Sequence, residues 1–545
     1  MNNQKRRYTL RIVALLMAAP VVVFTALLTL LYLPPVQHWA VERVTQVASA
    51  ATGMNIHIGR IRLAFPLDLA IREVVVADEI YTDTLASIGE LRTRVALWPL
   101  LRGQVEVEGI SLSRIQAQTG TLIPAVGIDG QIAELRLNKG NIDLANQQVE
   151  VGALLMHEAE GTISLRQEEE TPPDSTSPPA PWKIRLKRGE LADVNLQLQM
   201  PADTQALSAS WTQLHTREAV IDLHTQAYSV NHLTLADGAF SFDNGRHHPT
   251  PSFDPDHMAV SQIDLKADSL FYKGQEIRGI VHQLALWERS GFQLTHTEGE
   301  VRMDSTGLHI PLWRMQTPHS HLQAVGEIPW SSLKETGRTS MKAQVEGHLA
   351  MADIQALMPV NDTLSQPQWT APLTFQVALH GNMRRLQIDT LGVRMDSVAH
   401  LAASGEVCYP TNDKRRIAKA SLHAQVLHNN LQELWTGADS SALHIPAGSR
   451  LDATIGADKT CYTATLSLHE RKEGELIARG FYDTHSQEYA LNARADSLPL
   501  HHFLPLSPLG HLTAQAHLAG QGTDPFASTT RLTAQADIDS LVEEF

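Results

Sequence analysis

The sequence is poor in the residues on which several protein classes depend. It has 2 cysteines in 545 residues, and only 6% of its residues are aromatic. Two cysteines exclude a scaffold built on disulfides and a thiolate metal cluster. Acidic residues outnumber basic ones by 59 to 44, giving a net charge of −15. Binding to a nucleic-acid backbone requires the opposite balance, so we expect no nucleic-acid partner.

The usual catalytic motifs are also missing. There is no Gly-x-Ser-x-Gly elbow, no phosphate-binding P-loop and no His-Glu-x-x-His pair. One polar loop contains metal-ligand residue types, namely His247, His248, His257, Asp254 and Asp256. A proline-rich loop does not hold ligands rigidly, so solvent exposure is the better interpretation. The sequence therefore predicts a protein that is not an enzyme and needs neither metal nor cofactor.

Near the N-terminus, a long apolar run predicts one transmembrane helix. The run from Ile12 to Leu33 carries no charge, and at 1.5 Å per residue its length matches the roughly 30 Å hydrocarbon core of a bilayer. Lys5 and its basic neighbours precede the run, so residues 1–11 are predicted to be a cytoplasmic tail. The alternative is a cleaved secretory signal, which would send the body to the same side of the membrane.

The remaining chain reads as a short helix followed by strands. Helical spacing of apolar residues predicts an amphipathic helix over 34–53. A period of two then predicts a first β segment over 54–166 and a repetitive β body over 182–545. The acidic, Pro/Ser-rich stretch 167–181 is predicted to be a disordered loop. Short helical windows occur at 97–101, 351–358 and 430–435.

Internal repeats indicate one continuous sheet. Leu-x-x-Gly-x-apolar begins at Leu137, Leu186 and Leu235, at equal intervals. Leu-x-Ala-x-Gly begins at Leu322, Leu401 and Leu476, which predicts a unit of roughly 75 to 80 residues made of several antiparallel strands. An array of β-sandwiches is the alternative, but its units would be nearer about 100 residues with clear boundaries.

Alternating strands give the predicted sheet one apolar and one polar face, and the apolar face must be covered or filled. With few helices to cover it, we expect an open groove lined by aliphatic side chains; closure into dry sandwiches is the alternative. The candidate lining residues are Leu63, Phe65, Leu91, Val95, Leu97, Val105, Val107, Leu135 and Leu137. The sequence leaves open which face points inward.

Cys408 and Cys461 each precede a tyrosine in a predicted strand. In an oxidising compartment they are candidates for a disulfide between strands that stacking brings together. The alternative is two buried thiols that pack as small apolar groups.

Several stretches carry a family resemblance. They are YLPPVQ at 32–37, TGM at 52–54, RLAFPLDL at 62–69, WPLLRGQVEVE at 98–108, ERSGF at 288–292 and LQAVGE at 322–327. With them, residues 1–115 resemble the N-terminus of the AsmA/TamB-like family of bacterial envelope proteins. The later stretches look like TamB-type repeats, particularly those of Bacteroidota.

The resemblance implies a single-pass anchor in the bacterial inner membrane, a cytoplasmic N-terminus and a periplasmic body. It also implies a long sheet curled into a groove, a β-taco, that conducts phospholipid. Such proteins support outer-membrane protein assembly and secretion with an outer-membrane barrel partner of the TamA or BamA type. Longer relatives continue to a C-terminal domain, whereas this sequence stops at Phe545 in what looks like a mid-repeat. Whether that is the natural end stays open. The alternative function is a periplasmic scaffold that docks partner proteins through sheet edges.

Overall fold

The computed structural model describes most of the chain after residue 54. The described residues are 42, 45, 49, 55–64, 68–77, 84–95, 107–119, 126–143, 147–165, 182–250, 252–358, 372–428, 445–471, 474–504, 508–522 and 530–543. The predicted cytoplasmic tail, the transmembrane segment and the acidic loop 167–181 lie outside them. In the segment 34–53, the described residues Glu42, Thr45 and Ser49 are helical.

Strands make up nearly all of the described chain. The first ten are β1 (Asn55–Ala64), β2 (Asp68–Ala77), β3 (Thr84–Val95), β4 (Val107–Gln118), β5 (Val126–Asp143), β6 (Gln148–Leu165), β7 (Lys183–Met200), β8 (Gln205–Asp222), β9 (Ala227–Asn244) and β10 (His257–Lys273).

The next eight strands are β11 (Glu276–Glu288), β12 (Gln293–Leu294), β13 (His296–Met303), β14 (Gly307–Gln316), β15 (His321–Pro329), β16 (Met341–Leu349), β17 (Leu373–Asn382) and β18 (Arg385–Met395). The last eight are β19 (Ala399–Cys408), β20 (Ile417–Val426), β21 (Ser449–Asp458), β22 (Cys461–Glu470), β23 (Gly474–Asp483), β24 (Glu488–Pro499), β25 (Leu509–Gln521) and β26 (Arg531–Glu543).

The helices of the described strand region are short. They are two 3-10 turns, η1 (Pro201–Asp203) and η2 (Trp330–Leu333), and two α-helices, α1 (Met351–Leu357) and α2 (Leu500–Phe503). Helix α1 confirms the helical window predicted at 351–358. The windows at 97–101 and 430–435 lie outside the described residues.

All 26 strands belong to one sheet, which confirms the prediction of a mostly β chain built on a long sheet. Every pair whose register is described is antiparallel, except that β6 and β7 run parallel, from Gln148 opposite Lys183 to Ser164 opposite Gln199. A parallel pair needs a connection that returns along the sheet. The connection here is 166–182, so the predicted loop 167–181 falls where the antiparallel order is broken.

By the density of contacts, the chain divides into two units. Unit 1 comprises Met1–Pro249 and Pro255–Ser269, and unit 2 comprises Thr250–Asp254 and Leu270–Phe545. The division falls within β10, well after the acidic loop.

In unit 1, charged residues with positive φ interrupt the strands at matching levels. Glu158 (φ 49°), Asp193 (φ 53°) and Asp237 (φ 49°) hold such positions in β6, β7 and β9. The left-handed region costs an L-residue roughly 1–2 kcal/mol, so its recurrence at one level marks a shared bend in the sheet. We call this level the first fold line.

A second fold line crosses the same strands a few residues away. Lys139 in β5 and Glu218 in β8 both have φ 51°. The register places them at one level, because Gly140 pairs with Val151, Val151 with Leu186 and Leu186 with Ala219. The long strands of unit 1 are therefore bent twice.

At each fold line, positions three apart project to the same face. A Cβ on Gly238 would lie 2.9 Å from Leu235 Cδ2, and a Cβ on Gly189 would lie 2.9 Å from Leu186 Cδ2. Simple alternation would place such positions on opposite faces. The Leu-x-x-Gly-x-apolar repeat is thus the sequence of a strand that crosses a fold line.

In unit 2, the Leu-x-Ala-x-Gly repeat marks every fourth strand. Leu322, Leu401 and Leu476 lie in β15, β19 and β23. Stepwise register places these leucines in one row of the sheet, through the partners Gly347, Phe375, Val393, Ala424, Leu451 and Leu468. The predicted unit of 75 to 80 residues is therefore four antiparallel strands.

Candidate functional site: the apolar face of the sheet

A row of aliphatic side chains crosses the first nine strands of unit 1. Its members are Ile61, Ile71, Leu91, Leu112, Leu135, Met156, Leu191, Leu214 and Leu235, each paired with the next. Directly paired residues project to the same face of a sheet. The row therefore forms one continuous apolar stripe.

A second stripe runs beside it across the first fold line. Its members are Ile58, Val74, Ile88, Ile115, Ile132, Ala159, Val194, Trp211 and Gly238. Because Leu235 and Gly238 project to the same side, both stripes belong to one face, which we call the apolar face.

Burial on this face is greatest at the first fold line. The exposed fractions of Ala159 and Val194 are both 3%, whereas Leu196, one row further out, is 41% exposed, and Ile163, in the row beyond, is 39% exposed. Residues inside a bend are shielded by both flanks. The gradient indicates that the bend closes toward the apolar side, so the two stripes line the inside of a trough.

The described helical residue Ser49 lies at the first strand of the trough, where its Oγ accepts a hydrogen bond from Ile56 N–H at 3.1 Å. The one helical element in the strand region of unit 1, η1, has no buried residue. Strands β5 to β9 each have 18 residues, or about 60 Å at 3.3 Å per residue. That length is the width of the sheet along its strands, whereas the trough crosses nine strands, or about 38 Å at about 4.8 Å between strands, and is apolar and half-exposed.

Three of the predicted lining residues lie on the apolar face. Leu91 and Leu135 are in the first stripe, and Leu137 lies two residues from Leu135 and pairs with Leu154. The structure places Leu63, Val95 and Val107 in β1, β3 and β4 but does not describe their side chains. The other three candidates, Phe65, Leu97 and Val105, lie outside the described residues.

The second stripe could not be predicted from the sequence by the period of two that is expected for a strand. Ile132, Ala159 and Val194 fall three residues from Leu135, Met156 and Leu191, so strict alternation assigns them to the polar face. The Leu-x-x-Gly spacing was the signal that could have revealed them.

Unit 2 carries comparable apolar rows with smaller side chains. Ala324, Ala403 and Ala478 share one row, and Leu391 in that row is 36% exposed. Helix α2 covers one end of the face: Phe503 packs with Ala495 and Leu498 beside four partly buried leucines, of which Leu468 and Leu476 are row members. Elsewhere the rows of the described strands stay half-exposed.

The opposite face of unit 1 is polar and contains two depressions. One of about 540 Å³ is lined by Gln116, Gln131 and Glu160. One of about 1440 Å³ is lined by arginines of β1, β2, β3 and β5, with Glu90 and Glu134. The ionisable groups thus collect on the side away from the apolar stripes.

Histidines pair with carboxylates across neighbouring strands. His232 Nδ1 lies 2.6 Å from Asp268 Oδ1, and His380 Nδ1 lies 2.7 Å from Asp389 Oδ2. Within the described residues, no group of three or more His, Cys, Asp or Glu is arranged to hold a metal ion. These pairs are cross-strand contacts of a sheet surface.

The polar loop after β9 uses its carboxylates for internal hydrogen bonds. Asp256 accepts from the Asn244 side chain at 3.0 Å and lies 2.7 Å from His247 Nδ1. Asp254 accepts from the backbone N–H of Thr250 at 2.9 Å. The loop is a hydrogen-bonded turn, and its His and Asp residues do not converge on one point.

The structure does not join Cys408 and Cys461. Both are free thiols. Cys408 pairs with Ile417, Ile417 with Asp458 and Asp458 with Cys461, which puts the two cysteines three strands apart. At about 4.8 Å per strand the separation is roughly 14 Å, beyond the reach of a disulfide. Burial raises the pKa of the Cys408 thiol, and its hydrogen bond to Glu406 raises it further.

Neither a protein-family model nor a curated protein matches the sequence. Among the described residues, no helix combines the length and the apolar character needed to cross a membrane. The run from Ile12 to Leu33 lies outside that part of the chain.

Proposed function

We propose that the protein is anchored in a bacterial inner membrane and conducts phospholipid along its apolar face in the periplasm. The observation that supports the proposal is the pair of aliphatic stripes that cross nine strands and line a trough. Acyl chains are a suitable filling, because each CH₂ removed from water contributes about 0.8 kcal/mol.

The family resemblance extends the proposal. The curled sheet would be a β-taco behind a single transmembrane helix from Ile12 to Leu33. Lipid delivery of this kind would support outer-membrane protein assembly and secretion with a barrel protein of the TamA or BamA type.

Photo-crosslinking in cells tests the trough directly. A photoreactive amino acid at Leu135, Leu191 or Leu214 should form phospholipid adducts. The matched control is Gln213, which is adjacent to Leu214 and projects to the opposite face. Equal adduct formation at Gln213 and Leu214 would contradict the assignment of the trough.

Charged substitutions test conduction rather than contact. We expect Leu135→Asp with Leu191→Asp to abolish adducts at Leu214, because a carboxylate in the stripe repels acyl chains. Gln213→Asp should leave them unchanged. Normal adduct yield in the double variant would refute conduction along this face.

The second candidate is a scaffold that docks proteins through sheet edges. The observation that favours it is β26, which pairs on one side only within the described residues and whose Leu532 and Ile538 are 60% and 61% exposed. An exposed apolar edge strand is a template for strand addition. Native mass spectrometry of detergent-free protein separates the two candidates: bound phospholipid supports conduction, and its complete absence supports the scaffold.

A further inference from the structure

Six arginines from four strands lie together on the polar face of unit 1. They are Arg60, Arg62, Arg72, Arg92, Arg94 and Arg136, which we call the arginine patch. Arg62, Arg92 and Arg136 share one row, through Ala70 and Ser111. All except Arg60 line the depression of about 1440 Å³.

Carboxylates at the base of the patch orient the guanidinium groups. Arg72 Nε and Arg92 Nη2 each lie 3.0 Å from Glu90, whose side chain is 14% exposed against 52% and 65% for the two arginines. Hydrogen bonds from Arg92 and then Arg72 lower the pKa of Glu90, which keeps it ionised. The arginines therefore stand above their counter-ion, with further N–H donors free to face solvent.

The patch has excess positive charge. Arg94 pairs with Asp68 at 2.8 Å and Arg136 with Glu134 at 2.6 Å. Arg60 and Arg62 have no ion pair or side-chain hydrogen bond to the described residues. The depression is lined by five of the arginines with Lys139 and Lys187, against Asp68, Glu90, Glu134 and Glu150, which leaves a local charge of +3 in a chain whose net charge is −15.

We propose that the arginine patch binds the phosphate groups of an anionic phospholipid surface. Guanidinium forks match phosphate oxygens in pairs. At about 4.8 Å between strands and 6.8 Å along a strand, the patch presents several forks over an area that a single small anion does not fill. The rest of the chain is acidic and is therefore repelled by an anionic membrane. The charge distribution thus favours contact through this patch.

The location of the patch agrees with this occupant. Strands β1 to β3 are the first strands after the apolar run 12–33. An anchor formed by that run would place them nearest the bilayer. The inference rests on the anchoring half of the proposed function. It is separate from lipid conduction, because the patch lies on the face opposite the apolar stripes.

Headgroup quenching in nanodiscs tests the inference with the full chain. Cys408→Ser and Cys461→Ser remove the native thiols, and Ser111→Cys places a fluorophore between Arg92 and Arg136. Nitroxide on the lipid headgroups should quench it in phosphatidylcholine nanodiscs that contain phosphatidylglycerol, and much less in pure phosphatidylcholine. Each arginine beside an anionic surface contributes a factor of about 5 in affinity. Replacing three should weaken the contact on the order of 100-fold.

The test variant is Arg62→Gln, Arg92→Gln and Arg94→Gln. Its matched control is Arg302→Gln, Arg385→Gln and Arg394→Gln, which removes equal charge from exposed arginines of unit 2. The test variant should fall to the quenching seen in pure phosphatidylcholine, the control should not, and lysines at the three test positions should restore much of the signal. A circular-dichroism spectrum like that of the native chain confirms folding.

The remaining outcomes overturn the inference. Equal quenching in both lipids, or no effect of the glutamine substitutions, refutes contact through the patch. Loss of the effect in millimolar inorganic phosphate assigns the site to free phosphate. A chain that enters neither nanodisc refutes the anchor instead, and the same quenching is then measured with phosphatidylglycerol vesicles added from outside.

Discussion

Substitution of Asp193 tests whether the fold lines are set by left-handed residues. Asp193 has φ 53° between Glu158 and Asp237 on the first fold line. A β-branched residue is a conformational outlier at such φ, so Asp193→Val should destabilise this region by about 1 to 2 kcal/mol. Asp193→Gly relieves the strain in the folded chain but increases the conformational entropy of the unfolded chain. We therefore expect the free energy of unfolding to change by no more than about 1 kcal/mol.

Two controls isolate the backbone effect. His157 Nε2 lies 3.7 Å from Asp193 Oδ2, and both side chains are about half-exposed; such a pair contributes roughly 0–1 kcal/mol. Asp193→Asn removes its charge and still tolerates the left-handed region. Asn195→Val places the same valine two residues later in ordinary strand backbone, where β-branched residues are favoured.

Hydrogen exchange of the β7 and β8 amides in the full chain is the assay. A loss of 1 to 2 kcal/mol corresponds to a factor of about 5 to 30 in local opening. We expect that acceleration for Asp193→Val and little change for the asparagine control. If Asp193→Val exchanges no faster than Asn195→Val, the left-handed residue does not define the bend.

Three further predictions follow from local contacts. Cys408 and Cys461 should both react as free thiols after unfolding of protein purified without reductant; a covalent link between them would contradict the strand register. Gly189→Ala would place a methyl group 2.6 Å from a threonine Cγ2 on β8, so it should cost about 1 to 3 kcal/mol, and an unchanged urea midpoint would show that the site is loosely packed. Hydrogen bonds from Thr306, first its hydroxyl and then its backbone N–H, lower the pKa of Asp304 from its ordinary 3.8. The stabilisation is therefore present above pH 3.8 and is lost as pH falls through the lower folded value. Hydrogen exchange of the β13–β14 turn should accelerate in that window in the native chain and stay flat in Asp304→Ala.

The sequence predicts well those features that depend on a local period. Alternation correctly indicated a chain built mostly of strands, and the Leu-x-Ala-x-Gly repeat indicated a repeating unit of several strands, because Leu322, Leu401 and Leu476 occupy one row of the sheet. Helix α1 was also predicted, since a single turn of apolar spacing follows the end of β16. Each of these features needs only neighbouring residues to be recognised.

Features that depend on backbone conformation or on distant pairing were not predicted. Asp193 and Asp237 look like ordinary solvent-facing residues of a strand, and nothing in their composition signals a positive φ. The parallel pairing of β6 with β7 depends on how 166–182 returns the chain, which local periodicity does not encode. The second apolar stripe was missed because it depends on the backbone conformation of the residues with positive φ.

The Leu-x-x-Gly repeat is visible in the sequence, but its structural role could not be predicted from it. Its equal intervals suggested a unit of fixed length. The register instead places Leu137 in the row of Gly189, and Gly140 in the row of Leu186, so the motif crosses the second fold line in opposite directions in β5 and β7. In β9 it crosses the first fold line, between Leu235 and Gly238. The motif therefore encodes a break in alternation and not a position along the sheet, and its equal spacing is coincidental, because the connection between β6 and β7 lies within the first interval and not within the second. Wherever it recurs in a long sheet of this kind, we expect a bend that turns both flanks toward the apolar side.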